Sequence, residues 1–220
     1  MRRCFSYIVT FLVSFFSANV FAENGSFDPV AILPNEYFPT FSCDNQVSLL
    51  TSVKEGKDSC AKGPFGKDIC VEVFEKDYLQ YKTSQVARLT IKKYKRKSDG
   101  VEFIAVVNSV QTPIEDSKIQ FLDCNNQNNK PLTIKLMEPV GLMDFVDKDS
   151  MAAKGWTEDY VRNKMDMLFL SYKMTPGSND IVVTLNNKEY LAKEDYEKLR
   201  SVLKSESLTL SWNGDSFDKK

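Results

Sequence analysis

Two long β-prone runs, Val86 to Lys95 and Val101 to Val110, flank the segment Lys97-Ser98-Asp99-Gly100, and this pairing constrains the fold more than any other feature of the chain. Asp-Gly supplies the positive φ that a tight hairpin turn requires, and the flanking runs are rich in β-branched and aromatic residues. A hairpin over 86–110 follows. Period-two alternation continues on both sides of it. Ile69, Val71 and Val73 alternate with polar neighbours, as do Ile119, Phe121 and then Leu132, Ile134 and Leu136. Strands are therefore predicted over 68–75, 118–124 and 131–137, with a short turn at 78–81 and an Asn-rich turn at 125–130. Successive strands joined by short turns form an antiparallel meander.

Beyond Ser150 the apolar spacing changes to a helical one. Trp156, Tyr160, Val161, Met165, Leu168 and Tyr172 fall on one side of a helix that Thr157 caps and Thr175-Pro176-Gly177 ends. A strand over 181–185, a helix over 193–204 and a strand over 208–212 close the chain, and the charged segment after Gly214 reads as a mobile tail. At the other end, Pro29, Pro34 and Pro39 among aromatic residues predict an extended segment. The expected fold class is α+β: a largely antiparallel β-sheet, a meander with a long hairpin at 86–110, plus two main α-helices. Its expected organisation is a β-rich lobe over 23–145 and an α/β C-terminal unit over 146–220, or a single domain over 23–220.

Residues 1–22 read as a cleavable export signal. Arg2 and Arg3 precede an apolar run from Phe5 to Phe16, and Val20-Phe21-Ala22 offers a small-residue cleavage site. An anchor helix needs about 20 mostly apolar residues, and Ser14, Ser17 and Asn19 interrupt this run too early. The expected location is periplasmic or secreted, with no integral membrane span after cleavage. In an oxidising compartment the four remaining cysteines, Cys43, Cys60, Cys70 and Cys124, are expected to form two disulfides, with the pairing open among three possibilities. Their spacing lacks the close cysteine pairs of zinc sites, and no metal or other cofactor is expected.

The chain contains no histidine. Ser–His–Asp triads, Cys–His dyads and the paired histidines of zinc proteases are thereby excluded. With 29 basic against 30 acidic residues, the chain has no global attraction to nucleic acid or anionic lipid. One local charge cluster stands out. Lys92, Lys93, Lys95, Arg96 and Lys97 gather at the end of the hairpin's first strand, either as a basic finger that binds an acidic partner or as lysines that keep an exposed edge strand from pairing with another sheet. Asp144, Asp147 and Asp149 lack the glycine and glutamate of an EF-hand and read as an acidic lead-in to the next helix. Met143, Met151, Met165, Met167 and Met174 with Trp156 and Tyr160 read as core, with an adaptable apolar groove as the alternative. No catalytic motif is recognisable. The expectation is an exported, non-catalytic binding protein that neutralises or accompanies another exported or envelope protein. A carboxylate-dependent hydrolase of cell-wall or glycan substrates and an envelope assembly component are the alternatives.

Overall fold

The computed structural model describes residues 33–123 and 130–220. The segment expected to be a leader, its expected cleavage site and Cys124 lie outside the described residues. The first described element is α1 (Cys43–Lys54), which no sequence pattern announced. Ser42 caps it by accepting from the Asn45 amide at 3.3 Å. Its anchor is polar: buried Gln46 accepts from the Leu33 amide at 2.9 Å and donates to the carbonyls of Leu33 at 2.8 Å and Phe41 at 2.9 Å. One carboxamide thus fixes both the helix and the segment before it.

The meander follows as β1 (Cys60–Lys62), β2 (Asp68–Glu75), β3 (Tyr78–Lys82), β4 (Ala87–Lys95), β5 (Glu102–Gln111) and β6 (Glu115–Asp123). All neighbouring pairs are antiparallel, in the order β1-β2-β3-β4-β5-β6. The β4–β5 hairpin pairs Lys95 with Glu102 and Ala87 with Val110, and Gly100 adopts φ 72° in its turn. Residues 78–81 belong to a strand, not to a turn, because Tyr78 and Leu79 pair onward with Lys92 and Ile91. β4 is an interior strand and needs no gatekeeping lysines. The sheet is covered on both faces, which is why Phe103 to Val107 are buried without interruption.

Cys60 and Cys70 sit directly opposite each other on β1 and β2 and form a disulfide. The expectation of two bridges is corrected for Cys43, which is exposed and free, its thiol directed at the Leu33 carbonyl. Residues 131–137 do not form a strand. The edge of β6 is occupied by β7, and only an isolated bridge between Leu122 and Pro131 survives of the predicted pairing.

The single helix predicted from 150 onward is two short ones, α2 (Lys148–Ala153) and α3 (Glu158–Asn163). Asp147 and Thr157 cap them, and Gly155, at φ 66°, turns the chain between them. The residues predicted as the helix end form β7 (Leu170–Thr175), which turns through Pro176 and Gly177 into β8 (Ser178–Leu185). α4 (Lys193–Arg200) and β9 (Ser207–Trp212) lie where the sequence placed them. The tail is not mobile: β10 (Phe217–Lys219) pairs with β9 and buries Phe217. The second sheet runs β10-β9-β8-β7.

One core lies between the sheets, joining Tyr78, Tyr94, Phe103 and Val107 of the first to Ile181, Val183, Leu210 and Phe217 of the second. A second core lies on the opposite face, under α1, around Leu79, Tyr81, Ile91 and Ile104. The sheets also meet edge to edge. Ser117 Oγ accepts from the Tyr172 amide at 2.7 Å and donates to the Leu170 carbonyl at 3.3 Å, while Asp116 accepts from the Leu170 amide at 3.1 Å. Side chains of β6 thus replace a ladder and join β7 without merging the two sheets.

Candidate binding cleft

The inner face of the first sheet changes character along its length. Near the hairpin tip the opposed residues are Tyr94 and Phe103, then Lys92 and Ala105, then Thr90 and Val107, and finally Arg88 and Ser109. The second sheet covers the apolar end and stops short of the polar one. Between them opens a cleft of about 430 Å³, within the range of about 300–1,000 Å³ usual for small-molecule sites. Gln80, Arg88, Thr90, Ser109, Gln111 and Glu115 line it from the first sheet, and Tyr172 to Pro176 from the β7–β8 hairpin. Val86 and Val110, both exposed, stand among its lining residues.

The floor of the cleft is held by three side chains. A register shift in β7 between Lys173 and Thr175 takes this stretch out of the ladder with β8. Tyr78 Oη donates to the Met174 carbonyl at 3.2 Å, and Lys92 Nζ donates to the Thr175 carbonyl at 3.2 Å. Tyr94 reaches the Met174 sulfur at 3.9 Å. Burial pushes the Tyr78 hydroxyl above its ordinary pKa, with a bond to Thr90 opposing. Burial raises Tyr172 as well, and the charges of Asp116 and Asp144 add to it. Both phenols stay protonated at neutral pH, and the Tyr78 proton is held by the Met174 carbonyl. Arg88 Nε donates to Glu72 at 2.9 Å.

The five cations singled out in the sequence do not form one surface. Lys92 is fully buried, its Nζ 3.5 Å from Asp77 and 5.9 Å from the Tyr78 ring centre. Register explains this: Lys92 shares the inner face with Tyr94, whereas Lys93 and Lys95 take the other. Lys93 and Lys95 both pair with Glu102, at 2.8 Å and 3.6 Å, and the Lys93 bond is the main reason the Glu102 carboxyl titrates low. Arg96 bonds Asp99 at 2.9 Å and Ser98 at 3.3 Å.

Lys97 and Ser98 are instead latched to the chain's C-terminal segment. The Lys97 amide donates to the Gly214 carbonyl and the Ser98 amide to Asp215, each at 2.8 Å. Gly214, at φ 109°, leaves room for the Lys97 stem, since a Cβ there would lie 2.5 Å from Lys97 Cδ. The Ser98 bonds and then the Arg96 charge hold the Asp215 carboxyl below its ordinary range. A depressed pKa means that this contribution to stability is complete above the unfolded value, about 3.9, and is lost as pH falls through the folded value. Asp215→Asn is therefore expected to lower the melting temperature at pH about 6. The difference from the parent should shrink as pH drops below about 4, read by thermal unfolding across a pH series. A difference that stays constant with pH would show that the Asp215 charge does not hold the latch.

The acidic segment is likewise engaged. Asp144 accepts from the Gly141 amide at 2.8 Å and pairs with Lys219 at 2.7 Å. The Ser150 bond at the cap of α2 lowers Asp147. Among the described residues no cluster of three or more metal-ligating side chains occurs. Met151, Met165 and Met174 are core, whereas Tyr160 is exposed and packs on Trp156 with ring centres 5.0 Å apart.

The family model for proteins of unknown function DUF3256 matches residues 30–217, so the chain belongs to that family. The structure is similar to that of a domain of an uncharacterized protein from Porphyromonas gingivalis W83, with a TM-score of 0.67. That likeness covers 87% of this chain and 96% of the other at 18% identity, and at such identity it shows the fold alone. A search of curated proteins finds no match.

Proposed function

We propose that this member of DUF3256 is an exported, non-catalytic binding protein of the periplasm or extracellular space, and that the cleft is its binding site. The observation that carries this reading is the cleft itself: an opening between two sheets, floored by fixed donors and lined by polar side chains with few engagements of their own. Ser109, Gln111 and Glu115 make no side-chain hydrogen bond to a described residue, and Arg88 has two Nη groups without one. Small-molecule sites are concave, largely pre-formed openings in which a few placed polar groups fix the ligand.

Further observations bear on export, and two others favour binding over catalysis. The N-terminal 22 residues have the layout of a cleavable leader, the Cys60–Cys70 bridge suits an oxidising compartment, and no described helix is long and apolar enough to cross a membrane. Without histidine, the commonest nucleophile–base pairs are unavailable. The cleft's best-placed hydroxyl, Tyr78 Oη, is bonded to Gln80 and a carbonyl and not to a base.

Two measurements test the reading. Mass spectrometry of protein recovered from the exporting cell should show Glu23 as the first residue. Immobilised parent protein should also retain a component of an envelope extract that the cleft-filling variant Ser109→Trp does not. Equal retention by both would remove the cleft as the site, and a product released from a glycan substrate would favour the hydrolase alternative.

A further inference from the structure

We infer that the ligand of the cleft is an uncharged oligosaccharide. The inference rests on the cleft being the binding site and extends it to ligand chemistry, through three properties of the lining.

The first is the set of polar groups in the lining, of which Ser109, Gln111 and Glu115 have no side-chain partner among the described residues, whereas Gln80 and Thr90 already bond Tyr78. Gln80 and Gln111 present carboxamides, Thr90 and Ser109 hydroxyls, Arg88 a guanidinium and Glu115 a carboxylate. Each carboxamide offers both a donor and an acceptor, which matches a sugar hydroxyl that must give and receive at once. The half-buried Tyr172 adds an aromatic body to the same wall, as a surface for the apolar face of a ring.

The second is charge balance. Arg88 is already paired with Glu72, and the other charged residues of the lining are one cation, Lys173, and one anion, Glu115. A polyanion would find no net positive field here, and a polycation no net negative one.

The third is the condition of the backbone around the cleft. A bound peptide strand needs an open sheet edge. Along β7 several of the groups facing the first sheet are taken: the Leu170 and Tyr172 amides by Asp116 and Ser117, and the Met174 and Thr175 carbonyls by Tyr78 and Lys92. Recognition then comes mainly from side chains, and a ligand dense in hydroxyls uses them best.

The test titrates the full mature chain with maltotriose, cellotriose, xylotriose, mannotriose and chitotriose, alongside a heparin tetrasaccharide and an uncharged, unstructured decapeptide, by calorimetry and saturation-transfer NMR. At least one neutral trisaccharide should bind, with affinity nearly constant between about 0.05 and 0.5 M salt, where exposed ionic contacts would weaken. Gln111→Ala and Glu115→Ala, both at exposed rim positions, should each lower that affinity about five- to tenfold, the loss expected for one or two ligand hydrogen bonds. Their melting temperatures should stay within experimental error of the parent. Binding of only the heparin fragment or only the peptide, lost on Ser109→Trp, would overturn the ligand class while leaving the cleft as a binding site. Sugar binding unchanged by all three variants would place the sugar elsewhere and overturn the inference. No binding by any of the five trisaccharides would overturn it too, and retention from the envelope extract would then decide separately whether the cleft binds anything.

Discussion

Phe103→Ala is expected to cost about 3–5 kcal/mol of folding stability, the range for truncating a fully buried aromatic side chain. Phe103 is completely buried on β5, stacked on Tyr94 with ring centres 5.4 Å apart. It meets Phe121 and Trp212 edge-on at 5.9 Å and 5.7 Å. Tyr94 and Phe121 in turn contact Phe217 at 5.4 Å and 5.7 Å. The truncation therefore opens a cavity where both sheets meet, and neither can close it alone. Domains of ordinary stability have only about 5–15 kcal/mol in total, so the loss is a large share of what holds the molecule.

The same variant tests whether the β-rich part and the C-terminal part are one folding unit. Both tryptophans, Trp156 and Trp212, lie in the C-terminal part, so their fluorescence reports on it, whereas far-UV circular dichroism sums the backbone of both parts. The shared core implies coincident denaturant midpoints by both probes, shifted together by Phe103→Ala. A fluorescence midpoint that stays in place while the dichroism midpoint falls would separate the chain near residue 145 into two independent units.

Where local chemistry decides the structure, the sequence was legible. The 86–110 hairpin rests on Asp99-Gly100 and two matched runs, and β8, α4 and β9 rest on simple alternation or helical spacing; all four are found. Where a tertiary partner decides, it was not. The helical spacing from Trp156 to Tyr172 is broken because Asn187 bonds the Phe169 amide and the Met167 carbonyl, drawing that stretch out toward β7. α1 escaped notice because its anchor is a glutamine, whose three bonds go to a segment outside the helix. The charged end reads as a tail until Phe217 is seen among Tyr94, Phe121 and Trp212.

The cleft was invisible for a related reason. Gln80, Thr90, Ser109, Glu115 and Tyr172 are scattered in the chain, and only strand register and the β7–β8 hairpin bring them together. Consecutive cations catch the eye in a sequence, but register sends alternate ones to opposite faces of a sheet. No periodicity could indicate that one face would be dry.

Lys92 shows how large that difference is. Its ammonium is buried, and its bond to the Thr175 carbonyl holds the β7–β8 hairpin onto the first sheet, while the half-exposed Asp77 balances its charge. Lys92→Met keeps the length of the side chain and removes the charge. The carbonyl left without a donor costs about 1–3 kcal/mol, partly offset because a buried ammonium no longer has to be desolvated. Lys92→Glu has no such offset. It sets an anion against a carbonyl and against Asp77 in a site closed to water, and should cost about 3–5 kcal/mol or prevent folding altogether. Lys95→Glu, three residues along at an exposed position, should cost under about 1 kcal/mol, because solvent screens its pairing with Glu102. Soluble yield and denaturant midpoints of the three variants would rank Lys92→Glu far below Lys92→Met, with Lys95→Glu close to the parent. Equal losses for the two glutamate variants would mean that Lys92 is solvated after all, leaving the floor of the cleft without the cation that fixes it.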